Sequence, residues 1–163
     1  MRDDVTDHGQ RAGGWAKVTT MSATNDPPPP DDDRQAMVAM MPFAQGLGIA
    51  LQAATPDEVT GTVTWRPELC TTAGLLHGGV VMATADSLGA VCAFLNLPPG
   101  ALTSTIESKT NFFRGVREGT VHATSHPMHV GRTTIVVQTD LTDDRGKRVA
   151  QVTQTQAVIP GAS

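Results

Sequence analysis

The sequence predicts an α+β domain in which one long helix lies buried against a largely antiparallel sheet of about six strands. Two observations predict it. Residues 77–96 are apolar almost all round, the mark of a helix enclosed by protein rather than lying on a surface. Two segments with strand character precede that helix and four follow it, with no second long helical pattern among them.

Residues 1–33 read as a separate arm, disordered or loosely docked, with the domain itself spanning 34–163. The arm is polar and closes on Pro27-Pro28-Pro29-Pro30-Asp31-Asp32-Asp33, where the prolines favour an extended chain and the aspartates repel one another. A short helix is expected from Arg34 to Ala44, N-capped by the aspartates, with Met37, Met40, Met41 and Ala44 at helical spacing for packing. Two strands follow, Gly48 to Ala54 and Glu58 to Arg66, broken by Thr55-Pro56-Asp57. The second alternates Val59, Gly61, Val63 and Trp65 against Thr60, Thr62 and Thr64, as a half-buried strand does.

The long helix carries Val81, Ala85, Leu88, Cys92 and Leu95 on one stripe. Ala83, Gly89, Ala90, Ala93 and Phe94 leave little polar surface elsewhere, and Leu97-Pro98-Pro99-Gly100 ends it. Small residues of this kind let a sheet wrap closely. The remaining strands are Ala101 to Phe113, Thr120 to His129, Thr133 to Asp143 and Arg148 to Ile159, the last two joined by the turn Asp143-Asp144-Arg145-Gly146.

Bulk composition narrows the function. A net charge of -4 without any run of Lys or Arg argues against nucleic acid as a partner. No apolar run of the roughly 18 residues that a membrane span needs is found, and the start lacks a secretory signal. A cytoplasmic protein is the expectation. The two cysteines lack metal-ligand spacing, and Cys92 reads as a reduced core thiol. His122, His126 and His129 do not make a metal site on this reading. The first two share a strand face, the third faces away, and no carboxylate partner is evident.

Chemistry concentrates at the start of the long helix, in His77-Gly78-Gly79 followed by Asp86. Paired glycines bring a ligand close to backbone N–H groups at the positive end of a helix. A carboxylate inside an apolar helix costs free energy unless it is paired or used. Gly78 and Asp86 lie eight residues apart, or roughly 12 Å along a helix, too far for one carbonyl to touch both. If both serve one site, two helices must run antiparallel across an interface, which predicts a homodimer with two symmetric sites.

Three further motifs accompany these residues: Thr105 to Arg114 (TIESKTNFFR), Val130-Gly131-Arg132-Thr133 before a strand, and Arg148-Val149-Ala150-Gln151 after a hairpin. In this order and spacing, from Met41 to Ile159, the chain resembles the hotdog-fold acyl-CoA thioesterases, and within them the phenylacetyl-CoA and 4-hydroxybenzoyl-CoA thioesterase type. The resemblance implies hydrolysis of an acyl-CoA to a carboxylic acid and coenzyme A. No cofactor is implied beyond the coenzyme A of the substrate, and a dimer of dimers is the common assembly.

In such a site the Gly78 N–H polarises the thioester carbonyl, while Asp86 of the other chain acts as general base or as nucleophile. Thr105 corresponds to a hydroxyl that holds the attacking water. Ser104, its neighbour, points to the opposite face, so only one of the two serves. His77 either orients the substrate or fixes its own loop. Gly79 belongs with Gly78 to the substrate cradle. Gly131, Arg132 and Thr133, with Val130 before them, resemble the contact to phosphate and pantetheine, and Arg132 and Arg114 are either phosphate partners or solvated surface residues. Phe112 either lines the substrate tunnel or packs in the core. Thr71 departs from the pattern, standing where the family often has an asparagine, and a hydroxyl does not reproduce an amide. Two other readings remain: a non-catalytic acyl-CoA sensor, for which no DNA-binding module is visible, and a hotdog hydratase or dehydratase, whose signature is not seen.

Overall fold

The computed structural model describes residues 31–161. The expected arm lies outside the described residues, apart from residues 31–33, which form the first turn of a helix. Where one short helix was expected there are two, α1 (Asp31–Ala39) and α2 (Pro42–Leu47). Proline supplies the reason. Pro42 has no N–H to continue α1 and holds Met41 out of helical geometry at φ -115°, ψ 80°, yet it is well placed to open α2. Gly48 then closes α2 in the left-handed region, at φ 75°, with its N–H on the carbonyls of Ala44 and Gln45. The following strand therefore starts at Ala50, two residues later than the sequence suggested.

The strands are β1 (Ala50–Ala54), β2 (Val59–Thr64), β3 (Leu102–Phe112), β4 (Thr120–Val130), β5 (Thr134–Thr142) and β6 (Arg148–Ile159). They form one sheet in the order β1-β2-β4-β5-β6-β3, antiparallel throughout. The helix α3 (Gly78–Leu95) lies between β2 and β3 in sequence and packs inside the curve of the sheet, which is the hotdog architecture. By length and composition α3 would be able to cross a bilayer, which corrects the count of apolar runs above. Here its Ala85, Leu88, Cys92 and Ala93 are fully buried against the sheet. Gly61 makes the close approach possible. A Cβ there would stand 2.7 Å from the Ala50 carbonyl and 3.1 Å from Leu88 Cδ2.

Cys92 sits in that core as expected, and burial pushes its thiol up to about 12. The native protein is expected to leave Cys92 unmodified by a thiol reagent at pH 8, and to expose it only on unfolding. Mass spectrometry of labelled peptides with and without denaturant checks this.

The histidines of β4 differ from expectation. An extra residue, Met128, bulges between the pairs Pro127–Val137 and His129–Val136, and it turns His129 onto the outer face with His122 and His126. Two of them do have carboxylate partners: His122 Nε2 lies 2.9 Å from Asp144 Oδ1, and His126 Nε2 lies 3.5 Å from Glu58 Oε2. Among the described residues no three of His, Cys, Asp and Glu converge as a metal-binding group.

Asp144 also accepts the Thr120 N–H at 2.9 Å. The His122 hydrogen bond, and then the backbone one, hold its carboxyl below the usual range. A lowered carboxyl stabilises the fold above its unfolded value, and the contribution fades as pH falls from there through the folded value. Asp144→Asn should therefore lower the melting temperature at pH 7, with the gap to wild type closing as the pH falls below about 4. Thermal melts across that range test it.

Candidate active site

At the N-terminus of α3 the local chemistry is set by two glycines with different neighbours. His77 is the N-cap, and its Nδ1 accepts the Gly79 N–H at 2.8 Å. A Cβ on Gly79 would stand 2.9 Å from that nitrogen, so this glycine makes room for the imidazole. A Cβ on Gly78 would instead meet the Phe112 ring at 3.2 Å. The Gly79 N–H is thus engaged, whereas the Gly78 N–H has no acceptor among the described residues. With Nδ1 accepting, the free proton of a neutral His77 ring lies on Nε2, directed away from the helix.

The loop leading in is fixed from several sides. His77 N–H donates to the Leu69 carbonyl, Trp65 Nε1 to the Gly74 carbonyl, and Arg117 to the Ala73 carbonyl. Thr71 donates its N–H to Leu75, leaving its hydroxyl without a described partner. Thr71, Gly78, Phe112 and Arg114 line one cavity of about 320 Å³ together with Leu75 and Val81. Four residues singled out from the sequence therefore meet at the donor end of the helix. Phe112 is half exposed here and forms a wall of the cavity.

Asp86 stands about two turns further along α3, half-buried in the single chain rather than enclosed as expected. Its face of the helix is the one the sheet leaves uncovered, with Met82 39% exposed one turn away. Thr105 Oγ1 donates to Asp86 Oδ1 at 3.2 Å, so the strand hydroxyl and the carboxylate do meet. Two residues that the sequence reading passed over join them. Gln154 Nε2 lies 3.3 Å from the same Oδ1, and Gln156 Nε2 donates to Thr105 Oγ1 at 2.9 Å. Both glutamines are fully buried, in phase with buried Val152 on β6. That phase was the available signal, because a polar side chain on the inward face of a strand must find a partner. Thr105 Oγ1 and Gln154 Nε2 thus both meet one carboxylate oxygen, and Oδ2 has no hydrogen-bond partner among the described residues.

Val130, Gly131, Arg132 and Thr133 form the β4–β5 connection. Gly131 N–H donates to the Thr134 carbonyl, and the Thr133 carbonyl accepts from Val158. A Cβ on Gly131 would stand 3.0 Å from the Thr134 carbonyl and against the ring of His129. The register puts this loop near Ser104, since Thr134 and Ser104 both pair with Ala157. Phe112 lies eight residues along β3, or about 26 Å away. The candidate residues therefore fall into two groups within one chain. Thr71, His77, Gly78, Gly79, Phe112 and Arg114 sit at the helix N-terminus; Asp86, Thr105 and the 130–133 loop sit towards the other end.

The edge of the sheet beside Asp86 is equally uncovered. Among the described residues β3 pairs only with β6, and along its 11 residues Ile106 is 63% exposed. A long edge strand carrying exposed apolar side chains is normally paired or covered. One turn beyond Asp86 lies a second cavity of about 330 Å³, lined by Met37, Met40, Met41, Ala90, Phe94 and Leu102 among others, with no charged residue in its wall.

Comparison with known proteins agrees with this fold. Residues 73–150 match the family model described as the thioesterase superfamily. A protein of Mycobacterium tuberculosis that carries a provisional esterase name is 31% identical over 114 residues, covering 68% of this chain and 81% of that one. The 1,4-dihydroxy-2-naphthoyl-CoA hydrolase of Escherichia coli is 31% identical over 86 residues, 53% of this chain and 63% of its own. Among solved structures, a thioesterase from Pseudomonas aeruginosa superposes with a TM-score of 0.76 at 29% identity, covering 85% of this chain and 99% of that one. A Haemophilus influenzae thioesterase gives 0.75 at 26% identity, over 80% and 92%.

Proposed function

Because this chain belongs to the thioesterase superfamily and is a thioester hydrolase, we propose that it cleaves acyl-CoA thioesters to a carboxylic acid and coenzyme A. The sites are shared between two copies of the chain. One observation carries the reading: an open N–H donor at Gly78 and an unpartnered carboxylate oxygen on Asp86 stand on one helix, about 12 Å apart. Neither reaches the other's substrate atoms within a chain. Two helices packed antiparallel through the Met82 face bring each Asp86 to the partner's Gly78.

In that site the Gly78 N–H of one protomer stabilises the oxyanion that forms on the thioester carbonyl, a contribution typically of about a hundredfold or more. Asp86 of the other protomer either takes a proton from water as the water attacks, or attacks the carbonyl itself and is released by water afterwards. Both routes expel the coenzyme A thiolate, which is then protonated. His77 fixes the helix start through Gly79 and turns Nε2–H outward, available to the substrate. Phe112 and Thr71 line the approach beside Gly78, and Arg114 and Arg132 offer exposed guanidinium groups to the phosphates of coenzyme A. The uncharged cavity beyond Asp86 suits an apolar acyl group without a charge of its own. Pairing of the β3 edges would continue the sheet across the dimer, and a dimer of dimers in the cytoplasm goes with this reading.

Hydrolysis of a panel of short, medium, long and aromatic acyl-CoA esters, followed by thiol release, is the direct test. Turnover of apolar acyl groups with little for charged ones is expected. Tight acyl-CoA binding with no turnover by any member would replace this reading with that of a sensor.

A further inference from the structure

We propose that Gln154 and Gln156 are positioning residues for Asp86, aligning its carboxylate so that Oδ2 alone faces the reacting water or carbonyl. The inference rests on the reading of Asp86 as the acting group. Gln154 holds Asp86 at two points, with Nε2 3.3 Å from Oδ1 and 3.5 Å from the backbone carbonyl of the same residue. Gln156 acts one step removed. Its Nε2 donates to Thr105 Oγ1, which leaves the single hydroxyl proton of Thr105 to donate to Asp86 Oδ1. The Thr103 hydroxyl lies 3.1 Å from Gln156 Oε1 and 3.0 Å from the Ala157 carbonyl, and its one proton is shared between them. Donation therefore runs from Gln156 through Thr105 to Asp86 Oδ1, and directly from Gln154 to the same oxygen.

The fold carries a cost for this arrangement. Gln154 Oε1 is buried with no hydrogen-bond partner, whereas buried polar atoms are normally satisfied. Its amide lies against Gly89, where a Cβ would fall within clash distance of that oxygen. A glycine in a helix interior is less favourable than alanine. An orphaned amide oxygen and a mid-helix glycine are both unfavourable for folding, and both are needed to hold the Gln154 Nε2 under Asp86.

Gln154→Met and Gln156→Met keep the side-chain length and delete the donors. Each is expected to lower kcat about tenfold with KM little changed, because a misaligned carboxylate slows the chemical step and leaves substrate binding intact. Gly89→Ala leaves the glutamine in the sequence but displaces it, and should reproduce the loss of kcat seen in Gln154→Met. Gln151→Met is the control: the same residue type on the same strand, bound instead to Asp140 at 3.0 Å, should behave as wild type. Folded variants whose kcat matches wild type, or whose loss lies in KM and not in kcat, would overturn the proposal, as would an equal loss in Gln151→Met. If Gln154→Met fails to fold, Gln156→Met and Gly89→Ala decide by the same criteria. A fully active Asp86→Asn would instead remove the premise, and so distinguishes failure of the site reading from failure of this one.

Discussion

Asp86→Asn is expected to lower kcat for thioester hydrolysis by about a thousandfold or more, in a protein that stays folded and still binds acyl-CoA. Asparagine has the shape of aspartate and keeps an oxygen for Thr105 and Gln154, so the contacts that hold the side chain survive. What is lost is the charge at Oδ2, and with it both the capacity to take a proton and the capacity to attack a carbonyl. Stopped-flow and steady-state assays beside a thermal melt separate the two effects. A drop in rate with an unchanged melt supports the assignment; retention of more than about a tenth of wild-type kcat would refute it, because a general base alone contributes at least a hundredfold.

The second large effect concerns the donor. Gly78→Pro deletes one N–H and adds a close contact against the Phe112 ring. Gly78 opens α3, where proline is tolerated, and His77 before it is already extended at φ -65°, ψ 134°. Gly78→Ala is the partner control, since it adds the same contact against Phe112 while keeping the N–H. The proline variant should lose about a hundredfold in kcat and the alanine variant much less. Mixing then tests the shared site. When Gly78→Pro and Asp86→Asn chains are refolded together, half of the dimers are mixed, and each mixed dimer holds one site with both groups intact. Two nearly inactive parents should thus recover about a quarter of wild-type activity. A mixture no more active than its parents would mean that donor and carboxylate come from the same chain.

Much of this was readable in advance. The enclosing of α3 followed from its apolar circumference, and the alternation of Val59, Gly61 and Val63 gave the inward face of β2. Asp86 stood out as the one charge in an apolar helix, and Thr105 was expected beside it. What escaped depended on partners that a single strand does not reveal. A bulge such as Met128 is a property of two strands in register, so the turning of His129 onto the outer face is invisible in β4 alone. The two helices before β1 were legible in Pro42 and overlooked in favour of the methionine spacing. The glycines at 78 and 79 signalled close approach correctly, but what approaches within the chain is the Phe112 ring and the His77 imidazole. Gln154 and Gln156 look like solvent-facing residues of a polar strand until their phase with Val152 is counted. Burial of Asp86 was overestimated because the helix was judged as if every face met its own sheet, and one face is left for another molecule to cover.

Strand β3 has a further consequence in the proposed dimer. Thr105, near its start, touches the carboxylate, while Phe112, at its end, packs on the helix N-terminus that serves the opposite site. One continuous strand therefore runs from one reaction centre to the other. In that dimer, the strand that walls the approach to one centre would also carry the hydroxyl beside the carboxylate of the other.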